Sequence, residues 1–157
     1  MTQNTEVQRF QSDLFPHRLI VAIVFLITLG YLVVGYQFGG QLQQHLPESQ
    51  RVIIRTVFYA IAIITFPLTS LTRHIMVRLN RTMPGDRPAS KRYLTTIVVS
   101  MAMIQNIGLF GFVVFMLGDG FNSLYIFIFM NFLGLFLYRP KLAEYLSIVD
   151  ALSENSE

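Results

Sequence analysis

Residues 19–38 read LIVAIVFLITLGYLVVGYQF and carry no charged side chain. A helix needs about 20 residues to cross the roughly 30 Å hydrocarbon core of a bilayer, and a backbone facing lipid can satisfy its own polar groups only as a helix or a closed barrel. Barrel strands would alternate polar and apolar side chains, which this stretch does not do. Three further segments share its character: residues 52–71, interrupted only by Arg55, residues 93–117, and residues 121–138. The pattern predicts an all-α fold, an antiparallel four-helix transmembrane bundle, organised as a single membrane domain over residues 1–157.

Composition agrees: 53% of the residues are hydrophobic and only 13% are charged, too apolar for a soluble domain of this size. Cysteine is absent, which excludes disulfides, thiolate metal sites and thiol nucleophiles. The opening MTQNTEVQRFQSDLFPHR lacks a short apolar run ending in a small-residue cleavage site, so no removable secretory signal is expected. The basic residues are mostly arginine and collect on one side of the expected bundle. Arg73, Arg78, Arg81, Arg87, Lys91 and Arg92 fall between the second and third segments, read as a basic cytoplasmic loop, and Arg9, Arg18, Arg139 and Lys141 share that side. Only Arg51 and Arg55 lie opposite. The positive bias of short loops therefore predicts that both termini are cytoplasmic, with a bacterial inner membrane as the location. Arginine also pairs well with lipid phosphate, so membrane lipid is an expected partner. Nucleic acid is not, because the charges crowd against helix ends.

The connections differ in kind. Gly118-Asp119-Gly120 is short enough to fold the last two segments into a tight hairpin. GGQLQQHLPESQ joins the first two, and LNRTMPGDRPASKR, with Pro84-Gly85 and Pro88, is the central loop, in which Asp86 could cap or pair locally. Pro67 is expected to kink the second helix, and Arg55 to snorkel outward. After Pro140, Leu142, Tyr145, Leu146, Val149 and Leu152 recur at helical spacing, with Glu144, Asp150 and Glu154 elsewhere. A short amphipathic segment over about 141–152 is expected, docked on the basic loop or on a partner protein, the alternative being a frayed tail.

Two amides interrupt the third segment. At about 100° per residue, Thr95, Ala102 and Asn106 form one stripe, with Gln105 beside it. Ser100, Gly111 and Gly118 form another, with Gly108 near it, a groove of small residues that lets a second helix approach closely. Asn131 in the fourth segment comes to the same depth across the hairpin. The simplest expectation is a hydrogen bond from Asn131 to Asn106 or Gln105 that specifies packing. The competing one is a polar midplane site facing a lumen, or binding a headgroup or a quinone carbonyl. No Asp, Glu, His or Lys lies deep in any segment, and proton relays and ion carriers generally need one.

Residues 104–117, IQNIGLFGFVVFML, resemble the carboxylate-bearing helix of the rotary ATPase proteolipid c subunits. Gly108-Leu109-Phe110-Gly111 matches that family's glycine-containing run, and Gln105 falls where the family carries its proton-binding acid. Gln105 cannot titrate, the second segment lacks the family's repeated glycines, and two further helices are present. The resemblance therefore implies a packing hairpin without proton carriage.

His17, His45 and His74 lie in different flanks, each expected at an interface, so no metal site is expected. No nucleophile-elbow, Walker or dinucleotide motif occurs. No catalytic residue and no cofactor is assigned. The expected function is that of a non-enzymatic accessory, assembly or structural membrane subunit, with a protein partner or a homo-oligomer in the membrane. The alternative is a small oligomeric transporter or channel lined by Gln105, Asn106 and Asn131.

Overall fold

The computed structural model describes residues 14–83 and 87–154, and among them it forms five α-helices and no strand. These are α1 (Phe15–Leu42), α2 (Glu48–Thr82), α3 (Ala89–Met116), α4 (Phe121–Leu137) and α5 (Leu142–Glu154). Proline marks the starts: Pro16 sits in the first turn of α1, while Pro47 and Pro88 precede α2 and α3. A missing N–H there costs nothing, because the first turn leaves its N–H groups unpaired anyway. Helices α1, α2 and α3 are each long and apolar enough to cross a membrane, and α4 with α5, bent by 41° at their junction, makes a fourth if the pair is counted as one span.

Helix α3 is the centre of the molecule and packs against all four others. Its buried positions Tyr93, Ile97, Met101, Ile104, Ile107 and Val114 recur at helical spacing and meet Val24 of α1, Ala62 of α2, Phe127 and Leu135 of α4, and Tyr145 and Ile148 of α5. Water cannot drive apolar helices together inside hydrocarbon, so close approach has to supply the attraction through packing. Glycine permits it. A Cβ on Gly111 would lie 2.3 Å from Cβ of Phe127, and one on Gly134 would lie 2.6 Å from Cγ2 of Ile104. On α1, a Cβ at Gly39 would come within 2.8 Å of the Phe115 ring.

Helix lengths depart from the apolar segments. Helix α2 has 35 residues, about 52 Å at about 1.5 Å per residue, and continues well past residue 71 to Thr82. Hydropathy marks where hydrocarbon ends, whereas a helix continues as long as its residues favour it, and residues 72–82 hold Arg, Met, Leu and Ile without Gly or Pro. Helix α2 continues through Pro67, and Tyr138 Oη donates to the Phe66 carbonyl beside it at 2.7 Å. Helix α5 is no frayed tail: Tyr145 and Ile148 are buried against α2 and α3. Pro84, Gly85 and Asp86, and with them the expected cap at Asp86, lie outside the described residues.

Candidate functional site

Polar side chains gather at three levels. At mid-helix, Thr28 of α1 and Asn131 of α4 are both fully buried. The Thr28 hydroxyl lies 3.1 Å from Oε1 of Gln105, 3.1 Å from Oδ1 of Asn131 and 2.9 Å from the Val24 carbonyl. It has one hydrogen and donates to one of the three at a time. Asn131 Nδ2 donates to the Ile104 carbonyl at 2.9 Å, and Gln105 Nε2 donates to the Tyr31 hydroxyl at 3.2 Å. The expected direct bond between Asn131 and an α3 side-chain amide is therefore absent, and the Thr28 hydroxyl of a third helix stands between their two oxygens, donating to at most one of them at a time. The cause is steric. Gly108 faces Asn131, where a Cβ would lie 3.0 Å from Nδ2, so Asn131 nests against the α3 backbone and reaches a main-chain carbonyl.

Asn106 is elsewhere. One residue beyond Gln105 it has turned by about 100°, is exposed, and bonds no described residue. Thr95, Val98, Ala102 and Leu109 share its exposed face. Ser100 is buried and donates back to the Thr96 carbonyl at 2.8 Å, while Gly108 and Gly111 face α4. Gly118 is not part of that groove. Helix α3 ends at Met116, and Gly118 takes φ +94 in the turn, a conformation that favours glycine.

At the end where α1 begins, the supposed basic loop is mostly helix. Arg73, Arg78 and Arg81 belong to α2, Lys91 and Arg92 to the first turn of α3, and only Arg87 lies between them. Arg73 is 5% exposed. Its Nη2 lies 2.8 Å from Oε2 of Glu144 on α5, its Nε donates to the same carboxylate at 3.0 Å, and Nη1 donates to the Tyr138 carbonyl. The Tyr93 hydroxyl sits 3.2 Å from both Arg73 Nη2 and Glu144 Oε2, and accepts from the Lys141 N–H at 2.8 Å. Arg92 closes the end of α2, donating to the Asn80 and Met83 carbonyls at 3.1 and 2.7 Å, where a cation also suits the helix dipole. His17, in the first turn of α1, is fully buried, 5.2 Å between ring centroids from Tyr93, with Nε2 3.2 Å from the Ser90 carbonyl.

At the opposite end, Arg55 keeps 36% of its side chain exposed and also finds a carboxylate. Its Nη1 lies 3.2 Å from Oδ1 of the buried Asp119, whose other oxygen accepts from Ser123 Oγ at 2.6 Å. Arg51 donates to the Gly118 carbonyl at 2.6 Å, and Gln43 Nε2 donates to the Phe115 and Asp119 carbonyls at 3.0 and 3.2 Å. The three-residue turn thus also anchors α1 and α2.

Sequence reasoning missed Thr28, Tyr93 and Asp119; it expected the acidic α5 segment against the basic residues without naming the Arg73–Glu144 pair. Thr28 left a usable trace as a hydroxyl in the middle of a charge-free apolar run, and Gly35-x-x-x-Gly39 in α1 is a small-residue spacing of the kind that seats a neighbouring helix. No group of three or more His, Asp or Glu side chains among the described residues is placed to hold a metal ion. Chemically, the three levels hold helices together; of the mid-helix amides Gln105, Asn106 and Asn131, the one left over is Asn106. No protein-family model, curated protein or solved structure matches the chain.

Proposed function

We propose that this protein is a non-enzymatic integral membrane subunit, accessory, assembly or structural in role, that packs the exposed face of α3 against a partner membrane protein. In this reading α1 to α4 form an antiparallel bundle in a bacterial inner membrane, with the termini and the α2–α3 connection cytoplasmic. The observation that carries it is Asn106. The other midplane amides, Gln105 and Asn131, are taken up within the molecule, while Asn106 faces outward among Thr95, Val98, Ala102 and Leu109 without a bond to any described residue. Lipid tails offer an amide nothing to bond, and a second helix does. The small side chains of Ala102 and Thr95 leave room for one. The proteolipid-like run fits the same reading as a packing device, since its glycines seat α4 rather than frame a titrating site.

An oligomeric pore is less well supported, because Gln105 and Asn131 are occupied by Thr28, Tyr31 and main chain. The test is a photo-crosslinking amino acid introduced singly at Ala102 and Leu109 on the exposed face, and at Phe129 of α4 as a control, in cells. The proposal predicts one discrete adduct with a foreign membrane protein from positions 102 and 109 and none from 129. Adducts with a second copy alone, or with lipid alone, contradict it.

A further inference from the structure

Between α1 and α4, at the end where α1 begins, lies a cavity of about 420 Å³ built from two matching helical faces. Positions 18, 21, 22 and 25 of α1 and 132, 135, 136 and 139 at the end of α4 follow the same i, i+3, i+4, i+7 spacing, and the two faces run in opposite directions. Arg18 therefore stands level with Arg139, and Phe25 meets Phe132, ring centroids 5.0 Å apart. One end of the groove is closed by aromatic rings and the other carries two guanidinium groups. The distance between the levels is seven residues, about 10 Å along the helix.

Among the described residues, the charge at the mouth has no acidic partner. Arg18 and Arg139 are exposed, neither has a carboxylate partner among the described residues, and no acidic side chain lines the cavity. Arg139 holds its guanidinium 4.7 Å from the centroid of the Phe136 ring, a cation–π contact that steadies it while leaving its N–H edge available to an anion. By contrast, of the buried or half-buried arginines on α2, Arg55 and Arg73 already have carboxylates, and Arg51 is taken up by the Gly118 carbonyl.

We propose that this groove binds an anionic phospholipid, with the phosphate between Arg18 and Arg139 and one acyl chain along Val21, Phe25, Phe132 and Leu135. The inference needs the membrane placement of α1 and α4 but not the accessory role of α3. Planar guanidinium groups match phosphate geometry, and an apolar slot directly beneath them at a helix end matches the acyl chain that follows. A free phosphate shares only the first half of that chemistry.

The experiment is native mass spectrometry of the full chain in mild detergent, titrated with phosphatidylglycerol or with phosphatidylcholine of the same acyl chains, and separately with inorganic phosphate as competitor. The expected result is one retained phosphatidylglycerol per chain, displaced neither by phosphatidylcholine nor by millimolar phosphate. In the double variant Arg18→Gln, Arg139→Gln, retention falls by about 30-fold, the effect of two interfacial arginines. Ala22→Phe keeps both charges, fills the slot and lowers retention as well, whereas Arg78→Gln with Arg81→Gln leaves it unchanged. Equal retention of the two lipids, or no loss in either groove variant, overturns the proposal. Displacement by phosphate alone makes the site a simple anion site and overturns it too. Loss of retention in the Arg78, Arg81 control to the same extent shows diffuse charge attraction, which also contradicts the assignment.

Discussion

The basic end of the molecule and its midplane solve the same problem, holding helices in register, with different chemistry. At the basic end a buried guanidinium, Arg73, is paired with the half-buried Glu144 and surrounded by Tyr93 and two main-chain carbonyls. At the midplane only neutral groups are used: one hydroxyl, two amides and a phenol. A buried ion pair is costly to break, because removing one partner strands the other, whereas amide bonds between membrane helices average only about 0.6 kcal/mol. Stability against loss of a single polar group is therefore concentrated where α5 docks, and the midplane contributes choice of partner helix.

That contrast is open to attack, and the largest effect is expected at the basic end. Glu144→Ala leaves the Arg73 guanidinium buried without its carboxylate, and we expect a loss of about 3 kcal/mol, the low end of the range for such a change because two carbonyls still accept from it. Chemical denaturation in mild detergent reads this directly; a loss below about 1 kcal/mol would mean that water reaches Arg73 and that the two regions do not differ. Next comes Gly111→Ala. The new methyl would meet Cβ of Phe127, which cannot swing away, so overpacking by about 1–3 kcal/mol is expected at the α3–α4 contact. An unchanged melting temperature would show that the two helices part more easily than their packing implies.

Smaller again is Asn131→Leu, which removes the bonds to Thr28 and to the Ile104 carbonyl. We expect about 0.6 kcal/mol and no more than about 1.7 kcal/mol, the range found for interhelical polar contacts in membranes. A loss as large as that from Glu144→Ala would erase the distinction drawn here. Asn106→Leu should have almost no effect on the isolated protein, within about 0.5 kcal/mol, since Asn106 is exposed and bonds no described residue.

How much of this was legible in the sequence depends on the range of the interaction. The apolar runs located α1 to α4, because hydropathy over about 20 residues is a local property. The end of α2 was not legible: residues 72–82 are charged enough to look like a loop and helical enough to extend the helix. Arg73 was placed in the basic loop and the acidic segment was expected to dock there, but the particular partner, Glu144, stands 71 positions away, a choice no local pattern reports. Arg55 was read as snorkelling for the same reason, its carboxylate being 64 positions distant. At the midplane, the period set Gln105 beside the Asn106 stripe and left open which of the two amides meets Asn131. Which face looks inward was decided by Gly108, Gly111 and Gly134, which draw α3 and α4 together, and by Thr28, whose place in the α1 run marks a polar contact without naming its partner.

The central claim is that the exposed face of α3 holds another membrane protein through Asn106. The most direct measurement is affinity purification of the full chain from its native membrane in mild detergent, wild type beside Asn106→Leu, with the intact complex weighed. The account predicts a stoichiometric foreign partner on the wild type and its loss from the variant, both chains melting at the same temperature. A wild-type chain that purifies alone or only with copies of itself, or a partner held equally by the variant, would contradict it.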